Sequence, residues 1–296
     1  MNSFPEGVEK SNLLNVIRDL CWKSSDILRS YSEYEKNTSE LKKKLEINNL
    51  KTGPVTSADL EVNQEIIQGI KEKYPNQQWL FLSEESTKDF QNNNKLLSED
   101  WIWIIDPLDG TKDFINNTGE YAVHISLTYK KKNILAAVLI PFKEELWIYL
   151  QGEGSWSENR FLEKKIYKCS QKKELSSIRV VISKSHRYPE LNNLINKIKP
   201  AEIIGMGSIG YKIASIIRNN ADLYISFSDE NKSCPKDWDM AAPEAIIKGC
   251  GGEFTDLYGN NLSFLKDNQY KQGGILIASM TKNHKDICNR IRKLIA

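Results

Sequence analysis

The sequence contains little cysteine and histidine, and it lacks a long apolar segment. Its 296 residues include five cysteines and three histidines. The cysteines stand singly, with no C-x-x-C pair, which argues against a disulfide framework and a structural zinc site. The longest apolar run, residues 134–140, is far shorter than the roughly 20 residues of a membrane helix. Residues 1–10 contain no basic stretch followed by an apolar run, so we expect no signal peptide. These absences predict a cytoplasmic protein that does not insert into a membrane.

An excess of charge of one sign is also missing. The 41 basic and 39 acidic residues leave a formal net charge of +2. The short lysine runs at residues 42–44 and 130–132 have no interleaved aromatic residues, which is typical of a solvated surface. We therefore expect no nucleic-acid polymer as a partner.

The first part of the chain predicts helices followed by an antiparallel meander. Apolar residues recur at helical spacing over residues 10–30, and again from Ser57, where Thr56 or Ser57 supplies a cap. The polar stretch between them, residues 31–52, predicts an exposed arm or loop. Strands are predicted in the following order: residues 79–82, 101–105, 121–129, 134–140 and 146–150.

After about residue 165 the pattern changes to alternating strands and helices. Strands are predicted at residues 179–182, 221–225 and 274–278, and helices at residues 190–198, 209–217, 239–248 and 284–295. Glycines at 249, 251 and 252 suit the end of the third helix. We predict two α/β subdomains, residues 1–165 and 166–296.

One acidic motif follows a predicted buried strand. Residues 101–105 are apolar and lead into Asp106, Pro107, Asp109, Gly110 and Thr111. Gly110 permits a tight turn, and the segment that begins at Thr111 offers backbone N–H groups. Two carboxylates and backbone donors around one point suit a divalent cation with a phosphate group. A plain surface turn is the alternative, and the apolar strand before the motif makes it less favourable.

Two further acidic positions have a similar setting. Glu84 and Glu85 end the predicted strand at residues 79–82, and Asp239 begins a helix just after Trp238. A single acid at a helix start is usually a cap that accepts a bond from backbone N–H groups. Taken alone, neither position indicates a metal site.

Four segments together resemble the inositol monophosphatase superfamily of lithium-sensitive, magnesium-dependent phosphatases. They are PVTSAD (residues 54–59), LSEE (82–85), DPLDGT (106–111) and WDMAAPEAIIKGCGG (238–252), which occur in that order. The form DPLDGTKDF, with SKSH at residues 183–186 and the Gly207, Ser208 and Lys212 positions, is most similar to the 3'(2'),5'-bisphosphate nucleotidase branch. The resemblance implies an α/β fold, a layered α/β/α/β/α sandwich of the inositol monophosphatase and fructose-1,6-bisphosphatase type.

The resemblance also implies roles for individual residues. Metal binding is expected at Glu84, Asp106, the Leu108 carbonyl, Asp109 and Asp239. Asp59, Glu84 and Thr111 are expected to position or deprotonate the attacking water. Substrate contacts are expected at Leu108, Asp109, Gly110, Thr111, His186, Ser208, Lys212 and Asp239. The implied cofactor is Mg²⁺, with two or three ions bound, and these oxygen ligands are those that magnesium prefers.

The implied reaction removes the 3'-phosphate of adenosine 3',5'-bisphosphate in sulfur metabolism, giving AMP. The implied partner is a small-molecule phosphate monoester, and the protein is expected to be a monomer or homodimer. An inositol monophosphatase, a sugar (bis)phosphatase and an inactive binding protein of the same fold remain alternatives. Residues 226–237 depart from the branch because they contain no arginine, so Lys232 or Lys236 would have to replace one.

Several single residues have a plain structural interpretation. His124 lies inside a predicted strand and is expected to be a hydrogen-bonded core or surface histidine. His284 begins the last helix and is expected to be solvated. Lys212 lies on an amphipathic helix, where an ordinary surface lysine is an alternative to a substrate contact. Trp101 and Trp103 alternate with isoleucines and are expected to pack in the core.

Overall fold

A computed structural model describes residues 4–35, 45–50, 53–89, 98–185, 188–229, 234–266 and 270–295. Among these residues, no helix is both long enough and apolar enough to cross a membrane.

Two helices and a small hairpin form the N-terminal part. Helix α1 (Lys10–Glu35) and helix α2 (Ser57–Lys73) pack on each other, and strands β1 (Ile47–Leu50) and β2 (Gly53–Thr56) pair antiparallel before α2. The predicted cap is confirmed, because Thr56 is the N-cap of α2 and Asp59 accepts a hydrogen bond from the Thr56 backbone N–H. This reciprocal capping box fixes the side chain of Asp59 at the start of the helix.

The first sheet has the strand order β3-β4-β5-β6-β7-β8-β9. Its strands are β3 (Leu80–Ser83), β4 (Trp101–Asp109), β5 (Ala122–Tyr129), β6 (Lys132–Ile140), β7 (Glu145–Leu150), β8 (Gly154–Glu158) and β9 (Lys164–Lys165). Strands β3 and β4 are parallel, and each later strand pairs antiparallel with the one before it, which confirms the meander.

Both faces of this sheet are buried. Along β4, Ile102 and Ile104 contact one apolar cluster, while Trp103 and Ile105 contact another, as the two-residue period of a strand requires. The expected core position of Trp103 is confirmed, and Trp101 packs partly buried at the strand's start. Helices α1 and α2 cover the face of Trp103.

The second sheet has the order β11-β10-β12-β14-β13. Its strands are β10 (Arg179–Ser183), β11 (Glu202–Met206), β12 (Leu223–Ser228), β13 (Glu253–Asp256) and β14 (Gly274–Ser279). Strand β10 is parallel to both of its neighbours, whereas β14 is antiparallel to β12 and β13.

The remaining helices among the described residues give the layers. They are α3 (Thr111–Ile115), α4 (Pro189–Ile198), α5 (Ile209–Ile217), α6 (Asp237–Gly249) and α7 (His284–Ile295). Residues of α5 and α6 share one apolar cluster with both sheets, and α6 packs on β4 to β8. The apolar positions of α4 and α7 recur at helical spacing and cover the outer face of the second sheet. The expected α/β/α/β/α sandwich is confirmed. That residues 1–165 and 166–296 are separate subdomains stays a prediction.

Some local expectations are wrong. Helix α1 continues to Glu35, and residues 47–50 form β1, so the stretch at 31–52 is not a single arm or loop. Residues 36–44 and 51–52 lie outside the described residues. Strands β2, β8, β9, β11 and β13 were not predicted, and β12 lies two to three residues later than expected.

Candidate active site

Asp106 lies inside the end of strand β4, with its side chain fully buried. Its Oδ1 accepts a hydrogen bond from the Leu108 backbone N–H at 3.0 Å. Its Oδ2 has no hydrogen-bond partner among the described residues. A buried carboxylate oxygen without a donor is costly, and a bound cation is one way to satisfy it.

The turn after β4 requires glycine at position 110. Gly110 has φ of +94°, and a Cβ there would lie 3.0 Å from the Glu120 carbonyl oxygen and 3.3 Å from the Ser208 backbone nitrogen. The chain then enters α3 at Thr111. The Thr111 hydroxyl lies 3.1 Å from the Leu108 carbonyl and 3.3 Å from Asp59 Oδ1, and it can donate to either.

Asp109 joins this turn to the second half of the chain. Its Oδ2 accepts hydrogen bonds from the Ser208 hydroxyl at 2.7 Å and from the backbone N–H groups of Ile209 and Gly210. Ser208 is the N-cap of α5 and also accepts a bond from the Tyr211 N–H. The start of α5 therefore fixes the orientation of the Asp109 carboxylate.

Asp239 comes from the first turn of helix α6, which begins at Asp237 rather than at the predicted Asp239. It accepts a hydrogen bond from the Lys236 backbone N–H, so the cap interpretation is correct. Carboxylate oxygens of Asp106, Asp109 and Asp239 also lie within 4.8 Å of one another. Two separate segments of the chain thus supply a cluster with the spacing of a metal site.

Glu84 and Glu85 follow strand β3 in a 3₁₀ turn, Glu84–Asp89. Glu84 is not one of the three carboxylates within 4.8 Å, although it interacts electrostatically with Asp239 and Asp109. Burial, together with the charge of Asp239 and its neighbours, raises the pKa of Glu84 well above its ordinary value.

The cluster holds more negative charge than a buried site tolerates by itself. Burial is the main cause that raises the pKa of Asp106 well above its ordinary value, and the charges of Glu84, Asp109 and Asp239 add to it. Burial and the charge of Asp109 raise the pKa of Asp239 to about 7. Together with the Asp106 oxygen that has no partner in the described part of the chain, these carboxylates fit a divalent cation that takes oxygen ligands.

Asp59 faces the same turn from helix α2 and is 1% exposed. Its Oδ2 accepts bonds from the Thr56 backbone N–H at 2.8 Å and from the Thr56 hydroxyl, which leaves Oδ1 directed to Thr111. Burial raises the pKa of Asp59 above its ordinary value. The structure thus brings together the expected pair of Asp59 and Thr111.

Lys212 is buried, so the surface-lysine alternative is wrong. Its ammonium donates to the Gly207 carbonyl and lies 3.5 Å from the Met206 carbonyl. Burial lowers the pKa of Lys212 to about 8. The sequence pattern could not show this, because the carbonyls belong to the turn before α5. His186 and Lys232 lie outside the described residues.

Glu120 was not singled out from the sequence. Its carboxylate accepts bonds from the Gly207 backbone N–H at 2.6 Å and from Lys184 Nζ at 2.7 Å. It therefore ties the turn before Ser208 to the segment after Asp109. No local pattern marks it, since Glu120 follows a loop and its partners are more than sixty residues away.

Two histidines differ in how they match expectation. His124 is a buried core residue, as expected, but its Nε2 lies 3.4 Å from Asp109 Oδ2, a contact that the strand pattern does not show. His284 is 3% exposed, so the expectation of a solvated side chain is wrong. Its ring contacts the Thr255 hydroxyl at 2.9 Å and the Ser279 hydroxyl at 2.8 Å, which fixes α7 to the second sheet.

The sequence of this chain is similar to those of a known family of proteins. A family model described as the inositol monophosphatase family matches residues 9–296. A 3'(2'),5'-bisphosphate nucleotidase CysQ of Buchnera aphidicola is 33% identical over 213 residues, 71% of this chain and 74% of the relative. The protein of the same name from Escherichia coli K12 is 29% identical over 227 residues, 76% of this chain and 85% of that protein.

A solved structure shows the same fold. The inositol monophosphatase from Anabaena (Nostoc) sp. PCC 7120 superposes with a TM-score of 0.71 at 19% identity, covering 96% of each chain.

Proposed function

Because this chain belongs to the inositol monophosphatase family of metal-dependent phosphatases, we propose that it is a 3'(2'),5'-bisphosphate nucleotidase. It would convert adenosine 3',5'-bisphosphate to AMP and phosphate in sulfur metabolism, with Mg²⁺ as cofactor and with inhibition by Li⁺. The main support for a phosphatase reaction is the cluster of carboxylates from Asp106, Asp109 and Asp239. The substrate is supported by relatives named for this activity.

Two or three Mg²⁺ ions would be held by five groups: the carboxylates of Glu84, Asp106, Asp109 and Asp239 and the carbonyl of Leu108. Bound there, the ions neutralise the charge of the phosphate group and lower the pKa of water. The Oδ2 of Asp106, which has no hydrogen-bond partner among the described residues, supports this ligand set, as does the raised pKa of Asp239.

The remaining residues of the turn position the water and the substrate. Asp59 would accept a proton from the attacking water at Oδ1, since Thr56 occupies its other oxygen. A carboxylate with a raised pKa is a better base. Thr111 would orient the same water through its hydroxyl, and Glu84 would assist. No covalent enzyme intermediate is needed.

Substrate contacts belong to the same proposal. Leu108 to Thr111 and Asp239 would contact the scissile phosphate, while His186, Ser208 and Lys212 would recognise the rest of the nucleotide. The Ser208 hydroxyl and the Lys212 ammonium already bond to Asp109 and Gly207. If Lys212 also contacts substrate, Lys212→Ala should raise the KM for adenosine 3',5'-bisphosphate about tenfold. Hydrolysis of inositol 1-phosphate should hardly change.

A phosphate-release assay with three substrates tests the function. The substrates are adenosine 3',5'-bisphosphate, inositol 1-phosphate and fructose 1,6-bisphosphate, each with Mg²⁺ or with excess chelator. We expect the highest kcat/KM for the nucleotide and no turnover in chelator. Faster hydrolysis of inositol 1-phosphate or of the sugar phosphate would favour the corresponding alternative. If none of the three substrates releases phosphate, the result would favour the alternative of an inactive binding protein of this fold.

A further inference from the structure

His124 occupies a buried position beside the carboxylate cluster. It lies on strand β5 directly opposite Asp106 of β4 in the antiparallel register. Neighbouring Val123 and Ile125 contact the cluster under α1 and α2, so the alternation of the strand directs His124 to the opposite face, toward α5 and α6. The side chain is 0% exposed.

The imidazole ring contacts both segments that carry the metal-cluster carboxylates. Its Nε2 lies 3.4 Å from Asp109 Oδ2, and its Nδ1 lies 3.4 Å from the Trp238 carbonyl oxygen, one residue before Asp239. In the described residues Nε2 has no hydrogen bond of good geometry, and its 3.4 Å contact is with a carboxylate oxygen of Asp109. One ring thus spans the gap between β4 and the first turn of α6.

The third side of the ring is closed by helix α5. A Cβ at Gly210 would lie 2.3 Å from the His124 Nε2 and 2.8 Å from Val138 Cγ1. Gly210 therefore lets α5 approach the ring closely, and its N–H reaches the same Asp109 oxygen at 3.3 Å. With neighbours on three elements, the ring has little freedom to turn away from Asp109.

We propose that His124 is a positioning residue that sets the separation of Asp109 and Asp239, and thereby the geometry of the metal cluster. The inference rests on the proposed metal role of these carboxylates. Donor side chains that orient metal ligands change metal affinity by about 10- to 100-fold when they are replaced. His124 would act through Asp109 and the α6 backbone, without contacting substrate.

Binding of Mn²⁺ to the metal-free protein, followed by electron paramagnetic resonance of the free ion, tests the inference without substrate. His124→Phe keeps a buried ring and removes both nitrogens, and we expect it to weaken Mn²⁺ binding at least about tenfold. His124→Gln places an amide near the position of Nε2, and we expect affinity within about threefold of the original protein. Near-ultraviolet circular dichroism confirms folding of each variant.

The chain offers a matched control in its other described histidine. His284 is also buried and hydrogen-bonded, but its partners are Thr255 and Ser279 of the second sheet. His284→Phe should lower stability and leave Mn²⁺ affinity unchanged. If His124→Phe fails to fold, His124→Asn is tested in its place. The shorter asparagine amide reaches toward the Trp238 carbonyl and not toward Asp109, so we expect the same roughly tenfold loss of Mn²⁺ affinity.

Three results would overturn the inference. The first is unchanged affinity in His124→Phe or its replacement, and the second is an equal loss in His284→Phe. Either result leaves the proposed function intact. The third is the absence of Mn²⁺ binding in the unsubstituted protein, which would overturn the metal role as well.

Discussion

Replacing Asp239 by asparagine should stabilise the metal-free protein, although it removes a carboxylate of the proposed metal site. Burial and the charge of Asp109 raise the pKa of Asp239 from 3.8 to about 7. A carboxyl group whose pKa is raised on folding is harder to ionise in the folded state. The cost of ionisation is therefore absent below pH 3.8, grows as the pH rises, and is complete above about pH 7.

The size of the effect follows from the same pKa values. A pKa difference of about three, at 1.36 kcal/mol for each unit, corresponds to about 4 kcal/mol above pH 7. The amide is a weaker acceptor for the Lys236 N–H than a carboxylate, which removes about 2 kcal/mol of this gain. The net expectation is about 2 kcal/mol, or a Tm increase of roughly 3 °C for a chain of 296 residues at pH 8 in chelator.

Thermal unfolding followed by tryptophan fluorescence measures the stabilisation expected for Asp239→Asn. The Tm difference between Asp239→Asn and the original protein should be largest at pH 8 and should vanish near pH 5. Saturating Mg²⁺ should raise the Tm of the original protein and have little effect on the variant. Asp286→Asn, at an exposed position in the first turn of α7, is the control and should change neither property. A lower Tm for Asp239→Asn in chelator at pH 8 would refute the electrostatic account.

Three further expectations follow from the site and its supports. Burial lowers the pKa of His284 from 6.5 to about 4, so its contribution to stability is complete above pH 6.5 and is lost as the pH falls toward 4. Between pH 6.5 and pH 4, the unfolding free energy measured in urea titrations should therefore fall by about 3 kcal/mol less in His284→Gln than in the original protein. Gly110→Ala introduces a Cβ 3.0 Å from a carbonyl oxygen at φ of +94°, and it should cost about 1–3 kcal/mol and at least about tenfold in kcat. Unchanged kcat would argue against a fixed turn. Because the raised pKa of Asp239 makes protons compete with metal, Mg²⁺ affinity should fall as the pH drops below 7. Calorimetry in buffers of different ionisation enthalpy should detect proton release, and its absence would contradict the pKa assignment.

Local sequence patterns were enough to predict the helices and strands that position most of the site residues. The apolar run before Asp106 predicted a buried strand, and the Thr56 cap predicted the start of α2, because both signals lie within a few residues. The helical spacing at residues 284–295 predicted α7 with its observed bounds. The layered architecture depended on the family resemblance, since periodicity does not specify how sheets stack.

Contacts between distant segments could not be predicted in this way. The Ser208 hydroxyl is 99 residues from Asp109 in the chain, and Lys212 is buried because the turn at Met206 and Gly207 covers its ammonium. Strand β11 was missed because Ile203 is half exposed and its neighbours do not alternate in burial. An edge strand of this kind is determined by its backbone pairing with β10.

The most direct test of the proposed metal site is the turnover of adenosine 3',5'-bisphosphate by Asp106→Asn at saturating Mg²⁺. Asp106 is fully buried, its Oδ2 has no partner in the described part of the chain, and asparagine keeps its shape without the charge. Asp100→Asn, an exposed position just before the same strand, is the matched control. We expect kcat to fall at least about a hundredfold in Asp106→Asn and to be unchanged in the control. Undiminished turnover in Asp106→Asn would contradict the assignment of this carboxylate cluster as the catalytic metal site.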